Sequence, residues 1–300
     1  MPCVAANCGP AGMKPAEHLL VTRQLLSVLN EGKSALRVVI SESSEAVTQF
    51  AADEVCALLK HRSSNGFGAV LGLATGSTPL GLYRELIARN ARREISFANV
   101  ETFNLDEYIG VPPDSPKSYH YYMLENLFKH VDIDVSMTHV PETWGVDLQR
   151  SATDFEQQIE QAGGIDLQIL GIGADAHIGF NEIGSSLGSR TRVKTLTQRT
   201  RQDNARYFDS LDEVPHTALT MGIQTILEGQ SILLLATGTS KAKAIRDTVE
   251  GPITASVPAS VLQLHPNVTL AIDRDAASGL ANVDYFLAAE RNRAVASRSS

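Results

Sequence analysis

The sequence predicts an α/β protein: an open, mainly parallel sheet with helices on both faces, forming a three-layer sandwich. Six short apolar runs recur along the chain, at 37–40, 69–74, 100–105, 166–173, 231–238 and 268–273. A segment with helical periodicity follows these runs, and this alternation is typical of parallel strands joined by crossover helices. No linker or low-complexity run divides the chain between residues 36 and 290, which predicts one domain.

The clearest predicted helix runs from Glu42 to about Lys60, directly after the first apolar run. Serines precede it and can cap its first turn. Apolar residues recur at the spacing of one helical face, at Val47, Phe50, Ala51, Val55, Leu58 and Leu59.

The two ends of the chain differ from the centre. Residues 1–36 form an N-terminal extension of unknown role, in which 18–30 could form an amphipathic helix. Residues 37–290 are the single α/β domain, and 291–300 are a polar tail.

Composition limits the function classes. The chain has 34 acidic and 26 basic residues, a net charge of −8, which argues against general binding of nucleic acid or anionic membranes. Cys3, Cys8 and Cys56 show neither a pairing pattern nor zinc spacing, as expected for reduced thiols of a cytosolic protein. No signal-like start or membrane-spanning apolar stretch is present, so we expect a cytoplasmic protein with no nucleic-acid or membrane partner.

Two strand-to-helix turns share one chemistry: LATGSTPLGLY at 73–83 and LATGTSKAKAI at 235–245. In the first, Gly76, Ser77 and Thr78 offer backbone amides and hydroxyls at a helix N-terminus, where an anion is favoured. In the second, Lys241 opposes the helix dipole, which is easiest to explain if it faces an anion. Arg206 is a further donor. The alternative is two ordinary capped helix starts. No P-loop or GxGxxG pattern occurs, so a small phosphorylated metabolite fits better than a nucleotide.

Two carboxylates follow the third apolar run in TFNLDEYIG, at Asp106 and Glu107. At the edge where the anion turns lie, a partly desolvated carboxylate can act as a base near neutral pH. The alternative is a capping or surface acid, and Asp106, nearer the strand, is the stronger candidate.

The stretch GIGADAHIGFNE places Asp175, His177 and Glu182 close together after the fourth run. This spacing is not that of a zinc motif, and the other histidines form no companion cluster, so we expect no metal and no cofactor. Two interpretations remain from these residues: a proton relay in which carboxylates orient the imidazole, or a structurally hydrogen-bonded histidine. No nucleophile elbow or cysteine–histidine arrangement indicates covalent catalysis.

Seven motifs in one order resemble the glucosamine-6-phosphate deaminase family, the glucosamine/galactosamine-6-phosphate isomerases. They are ATGSTP, FNLDEYIG, SPKSYHYYM, GIGADAHIGFNE, SSLGSRTRVKTLT, TRQDNARYF and LQLHPN. The resemblance runs from about Arg37 to about Phe286. The wider superfamily also contains 6-phosphogluconolactonases and other sugar-phosphate isomerases.

The resemblance implies conversion of α-D-glucosamine 6-phosphate and water to D-fructose 6-phosphate and ammonia, without metal or organic cofactor. Asp106 matches the carboxylate that moves a proton from C2 to C1. His177 matches the residue that opens the sugar ring, with Asp175 and Glu182 holding it. The residues that match the phosphate site are Gly76, Ser77, Thr78, Arg206 and Lys241.

The segment SSLGSRTRVKTLT matches a regulatory region of allosteric family members, in which N-acetylglucosamine 6-phosphate binds between subunits of a hexamer. The matching positions are Ser185, Arg192, Lys194 and Thr195. The resemblance therefore implies a homo-oligomer, a hexamer if the protein is allosteric, whereas the residues alone also allow a basic surface strand.

Three positions depart from the family pattern: Ala176 and Ser77 stand where members commonly have glycine, and Ile183 where they have proline. These departures concern loop conformation. Two other functions compete with the deaminase. The first is a 6-phosphogluconolactonase or a different sugar-phosphate isomerase, which would keep the phosphate turn and change the substrate, although a lactonase would not need Asp106 followed by Glu-Tyr. The second is a non-enzymatic sugar-phosphate sensor, which would not need all four acid–base residues.

Overall fold

The computed structural model describes residues 36–296, which form two sheets with helices around them. The predicted helix at 18–30, Cys3 and Cys8 lie outside the described residues, as does all of the predicted extension except Leu36. The strands are β1 Leu36–Ser41, β2 Ala69–Leu73, β3 Val100–Asn104, β4 Asp106–Tyr108, β5 Thr138–His139, β6 Leu167–Leu170, β7 Arg192–Thr195, β8 Thr217–Thr220, β9 Ile232–Ala236 and β10 Val268–Asp273.

Nine α-helices lie between or after these strands within the described residues. They are α1 Ser44–Ser64, α2 Leu80–Ala91, α3 Tyr119–Asn126, α4 Leu148–Gln161, α5 Gln198–Asn204, α6 Ile223–Leu227, α7 Ala242–Val249, α8 Arg274–Ala277 and α9 Val283–Ala296. The helix expected at 42–60 is α1, capped by Ser43, whose side chain accepts a hydrogen bond from Ala46 N. None of these helices is both long and apolar enough to cross a membrane.

The larger sheet has seven parallel strands in the order β1-β10-β9-β6-β2-β3-β5. Its buried side chains alternate between two apolar layers. Val70, Leu170, Leu234 and Leu270 pack in one layer with α4 and α7. Their neighbours Leu71, Ile169, Leu233 and Ala271 pack in the other with α1, α2 and α3. Because successive strand residues face opposite sides, this confirms the predicted three-layer α/β sandwich.

The chain reverses its direction across the sheet between β2 and β6. From β2 the chain continues to β3 and β5 at one edge, and then returns to β6, β9 and β10 on the other side. Segments that leave the carboxyl ends of β2 and β6 therefore diverge and leave a crevice, which is where open α/β sheets bind ligands.

Three antiparallel strands form a second, smaller sheet in the order β4-β8-β7. Leu105 joins the two sheets, since its N–H donates to Leu73 O at 3.2 Å and its carbonyl accepts from Met221 N at 2.7 Å. The six apolar runs became the long parallel strands, whereas the strands of the small sheet and the two-residue β5 were not predicted. Those strands are short and polar, so the sequence carries little periodicity there.

Candidate active site

The candidate site is a cavity of about 160 Å³ at the carboxyl ends of the parallel strands. Its lining comes from segments that follow β2, β3, β6 and β9 and from the region around α5. Seven of the residues singled out in the sequence line it: Gly76, Ser77, Thr78, Asp106, His177, Arg206 and Lys241. The structure thus brings both anion turns, the carboxylate and the histidine to one place.

Asp106 begins β4 and is only 5% exposed. Burial raises its pKa to about 7, and the neighbouring Glu107 carboxylate adds to the rise, while His177 and the backbone N–H of Phe180 oppose it. A carboxyl group with a pKa near neutrality can accept and return a proton at physiological pH.

His177 lies in the loop after β6, next to two carboxylates. Its Nδ1 is 2.7 Å from Asp175 Oδ1 and 3.9 Å from Glu182 Oε2. The close atoms are not aligned as a hydrogen bond, so Nδ1 has no hydrogen-bond partner among the described residues. Burial would raise the pKa of Asp175, but its contacts with His177 lower that pKa to about 2. Asp175 therefore stays charged beside the imidazole at any ordinary pH.

Glu182 stands behind the imidazole and is almost fully buried. Its Oε1 accepts a hydrogen bond from Thr197 N at 3.0 Å, and the Thr197 hydroxyl lies 3.3 Å from both carboxylate oxygens. Thr197 also caps α5, which contributes to the cavity wall. Glu182 is thereby fixed at the start of α5, on the side of the ring that also faces Asp175.

The loop from Gly173 to Glu182 depends on the backbone conformation of two of its residues. A β-carbon at Gly173 would overlap Cε1 and Nδ1 of the His177 ring, so only glycine lets the chain pass there. Ala176, where the family commonly has glycine, adopts the left-handed region with φ of 66°. That conformation costs an L-residue roughly 1–2 kcal/mol.

The turn after β2 has the features of an anion-binding turn. Gly76 has φ of 92°, and α2 begins without a side-chain cap and without an acidic residue in its first turn. Its amide groups are therefore not satisfied by a side chain, at the positive end of the helix dipole. Ser77, a departure from the family pattern, has its Oγ 3.4 Å from Arg206 Nη2 and accepts a hydrogen bond from it.

Lys241 supplies the second cation of the cavity, immediately before α7. Burial lowers the pKa of Lys241, and nearby Arg206 lowers it further, while Asp203 and Asp175 oppose this change. A desolvated ammonium beside a guanidinium is electrostatically unfavourable until an anion binds between them. This arrangement is suited to a phosphate group.

His177 and the two carboxylates beside it could also hold a cation. Asp175, His177 and Glu182 each offer one ligand atom, and these atoms lie within 4.8 Å of one another. Three protein ligands are the minimum of a catalytic zinc site. An imidazolium held between two carboxylates uses the same geometry. The expectation of a metal-free site therefore stays a prediction, which the assay described below tests.

The proposed regulatory residues lie on and before β7, the outer strand of the small sheet. Ser185 Oγ and Arg192 Nη2 are buried without hydrogen-bond partners in the described part of the chain. Arg192 Nη1 donates to Asn181 Oδ1 at 2.9 Å. Thr195 is exposed and, by strand alternation, faces away from Arg192 and Lys194, so β7 presents two of the four positions on one face.

Several cavity residues were missed in the sequence. Tyr119, Thr200, Asp203 and Asn204 line the cavity. The last three precede Arg206 in one motif, which could have indicated them. Thr197 ends the motif SSLGSRTRVKTLT, but residue spacing does not indicate that it holds Glu182, because this contact joins separate segments of the chain.

A larger cavity of about 480 Å³ lies on the other side of β4. Its lining includes Glu107, Glu142 and Asp154, and the described residues around it include no lysine or arginine. An acidic cavity repels a phosphate group, so the smaller cavity is the better candidate for a phosphorylated ligand.

The fold and the cavity define an α/β protein with acid–base groups and an anion-binding turn at the switch point of its sheet. A family model described as glucosamine-6-phosphate isomerases/6-phosphogluconolactonase matches residues 42–270. A glucosamine-6-phosphate deaminase of Hahella chejuensis is 51% identical over 251 residues, which cover 84% of this chain and 94% of that protein. The corresponding protein of Thermoanaerobacter pseudethanolicus is 49% identical over 249 residues, 83% of this chain and 97% of its own length.

The chain therefore belongs to the glucosamine-6-phosphate isomerase/6-phosphogluconolactonase family, a family of enzymes. Among solved structures, one described as a monomeric glucosamine-6-phosphate deaminase has a TM-score of 0.78 at 48% identity, covering 81% of this chain and 99% of its own. A 6-phosphogluconolactonase from Trypanosoma brucei has a TM-score of 0.67 at 19% identity, covering 82% of this chain and 98% of its own, and shares the fold alone. Because one relative is monomeric, the homo-oligomer expected here stays a prediction.

The buried carboxylate gives a prediction for stability that needs no substrate. The pKa of Asp106 is raised from 3.8 to about 7, so the folded state loses stability as pH rises through this range, by up to about 4 kcal/mol. We expect Asp106→Asn to be more stable than wild type at pH 8, with a smaller difference at pH 5. Urea unfolding at both pH values measures this.

The exposed Asp212 provides the control. Asp212→Asn should change the free energy of unfolding little, and by the same amount at both pH values. If Asp106→Asn behaves like this control, Asp106 is not a neutralised, desolvated carboxyl group.

Proposed function

We propose that this protein converts α-D-glucosamine 6-phosphate and water to D-fructose 6-phosphate and ammonia. The observation that carries the proposal is one cavity holding a buried carboxylate with a pKa near 7, an imidazole beside two carboxylates, and an uncapped helix turn with two cations. Relatives of about half-identical sequence named glucosamine-6-phosphate deaminase support the substrate and the reaction.

The phosphate group binds at the turn formed by Gly76, Ser77 and Thr78. Backbone amides at the start of α2 and the side chains of Arg206 and Lys241 neutralise its charge. Fixing this end of the sugar places C1 and C2 near Asp106. Such positioning lowers the barrier by roughly several kcal/mol, because less orientational freedom remains to be lost.

Ring opening comes first and uses His177. The imidazolium donates its proton to the ring oxygen O5 as the C1–O5 bond breaks, and the imidazole so formed accepts the proton of the O1 hydroxyl, which gives the open-chain aldehyde and restores the imidazolium. Asp175, charged at any ordinary pH, stabilises the imidazolium of His177. Glu182, the second carboxylate near Nδ1, helps to hold the imidazole in place.

Isomerisation follows at the adjacent carbons and uses Asp106. The carboxylate removes the C2 proton while the imidazolium protonates O1, giving an enolamine. The carboxylic acid so formed then returns its proton to C1 as nitrogen forms a double bond to C2, so that C1 is reduced and C2 oxidised. Water then adds to the ketimine carbon C2, and the nitrogen leaves as ammonia. No external oxidant or reductant is needed, and one carboxyl group with a pKa near neutrality serves both proton transfers.

The proposal predicts ammonia and fructose 6-phosphate when the purified protein is incubated with glucosamine 6-phosphate. The rate should be unchanged after EDTA treatment, since no step uses a metal, and should fall by about 10³-fold or more in Asp106→Asn, which cannot accept the C2 proton. A coupled ammonia assay measures each rate.

Three results would contradict parts of this proposal. Wild-type protein without ammonia release overturns the reaction. Full activity in Asp106→Asn overturns the role of the base. Loss of activity with EDTA that zinc restores shows that Asp175, His177 and Glu182 hold a metal ion instead of forming a relay.

The phosphate site predicts a separate change in substrate affinity. Lys241→Gln removes a partly buried cation from the cavity and should raise KM by about tenfold or more, with a smaller effect on kcat. Lys243→Gln is the matched control, because Lys243 lies two residues further along, on α7, has a 75% exposed side chain and pairs with Asp247. Equal KM values in the two variants would place the phosphate elsewhere.

We further infer that β7 binds an activating sugar phosphate, N-acetylglucosamine 6-phosphate. The unpartnered polar atoms of Ser185 and Arg192 are suited to such a ligand, because buried polar groups are normally hydrogen-bonded. Arg192 already holds Asn181, next to Glu182, so a ligand on Arg192 acts directly on the loop that carries His177.

The regulatory inference predicts that N-acetylglucosamine 6-phosphate lowers KM in wild type by about fivefold or more, and that Arg192→Gln abolishes this change. Arg190→Gln is the control, since Arg190 lies two residues away and pairs with Glu228. Initial rates with and without the ligand measure the effect. An unchanged wild-type KM removes the regulatory inference and leaves the deaminase assay unaffected.

A further inference from the structure

Strand β4 contributes one residue to each of the two cavities. Asp106 and Glu107 are consecutive residues of this strand, so their side chains point to opposite faces. Asp106 lines the smaller cavity and Glu107 lines the larger one. Glu107 is only 3% exposed, which is unusual for a carboxylate and requires a reason.

The Glu107 carboxylate accepts three backbone hydrogen bonds. Its Oε1 accepts from Tyr108 N at 2.8 Å and Tyr119 N at 3.0 Å, and its Oε2 accepts from His120 N at 2.9 Å. Two of these amides belong to the first turn of α3, where a negative charge also stabilises the helix dipole. Glu107 thus attaches the start of α3 to the strand that carries Asp106.

α3 in turn contacts the smaller cavity at two points. Tyr119 lines the cavity, and its hydroxyl hydrogen-bonds the hydroxyl of Tyr108 at 3.1 Å. One turn later, Tyr122 OH donates to Gly76 O at 2.6 Å, within the anion turn. A continuous series of contacts therefore runs from β4 through Glu107 and α3 to the turn after β2.

We propose that Glu107 is a positioning residue that sets the anion turn relative to Asp106 through α3, and that it places a second buried carboxyl group directly beside Asp106 in β4. This inference deepens the proposed function and rests on it. Glu107 touches no substrate, because it faces away from the smaller cavity. The nearest comparison within the chain is Glu250, which accepts hydrogen bonds from Ala281 N and Asn282 N at 2.8 and 2.9 Å, away from both cavities.

The charges around the pair favour this role. Besides Glu107, the titratable groups that face Asp106 or share its cavity are Tyr108, Tyr119, His177, Asp203, Arg206 and Lys241. Those near Glu107 in the larger cavity are His120, His139, Glu142 and Asp154. Burial raises the pKa of Glu107 to about 7, and its three amide partners oppose that rise. Its negative charge raises the pKa of Asp106, which His177 counteracts.

The first test is Glu107→Gln, which keeps the shape of the side chain and an oxygen for two of the amides but loses the charge. Without that charge the pKa of Asp106 falls, so the acid limb of the kcat/KM profile should move to lower pH by about one unit. We also expect kcat/KM at pH 8 to fall by about tenfold, because His120 N loses its acceptor and Asp106 becomes a weaker base.

Two further variants separate positioning from charge. Tyr122→Phe removes the hydrogen bond to Gly76 and should raise KM and weaken binding of inorganic phosphate by about threefold to tenfold, with the pH profile unchanged. Glu250→Gln, the control for losing a helix-anchoring carboxylate, should leave KM, phosphate affinity and the acid limb unchanged. Circular dichroism confirms that each variant is folded before comparison.

The outcomes are distinct. An unmoved acid limb in Glu107→Gln overturns the role of its charge, and unchanged KM and phosphate affinity in Tyr122→Phe overturn the positioning role of α3. If wild-type protein releases no ammonia, the proposed function fails by itself. In that case the inference is still tested without a reaction. NMR titration of Asp106 in wild type and Glu107→Gln tests the role of the charge, and calorimetric binding of inorganic phosphate to wild type and Tyr122→Phe tests the positioning role of α3.

Discussion

The parallel pairing of β2 with β6 is the interaction on which the site depends. These strands are neighbours in the sheet but are separated by more than ninety residues of chain, with Leu71 opposite Leu167 and Gly72 opposite Gln168. Because the chain leaves them in opposite directions, the anion turn after β2 and the His177 loop after β6 border one crevice. β3 on one side and β9 on the other add Asp106 and Lys241, so four strand ends supply the chemistry.

That crevice holds groups that are unfavourable in an apolar surrounding. Burial raises the pKa of Asp106 and of Glu107 to about 7 and lowers the pKa of Lys241. Each shift costs stability at neutral pH, and the two apolar layers of the sandwich offset this cost. The same unfavourable burial favours binding and proton transfer, because a bound anion stabilises the charge of Lys241 and a proton neutralises the charge of Asp106.

The structure shows the surroundings of the three residues that depart from the family pattern. Ala176 does occupy a left-handed conformation where glycine would be unstrained, but its carbonyl accepts from Ala259 N at 2.9 Å and its side chain is buried, so packing holds the loop. Ser77 contributes its hydroxyl to the contact with Arg206. Ile183 is 59% exposed, so its side chain lies outside the buried part of the loop.

The sequence by itself determined the fold class, because long apolar strands and amphipathic helices leave a periodic record, and each of the six apolar runs became a parallel strand. It also indicated Asp106, His177 and Lys241, since each follows such a run and therefore lies at one sheet edge. Only the tertiary structure decided that Thr197 holds Glu182, that Glu107 anchors α3 and that Gly173 admits the imidazole. Those features arise from contacts between distant segments and from backbone angles, which residue spacing along the chain does not encode.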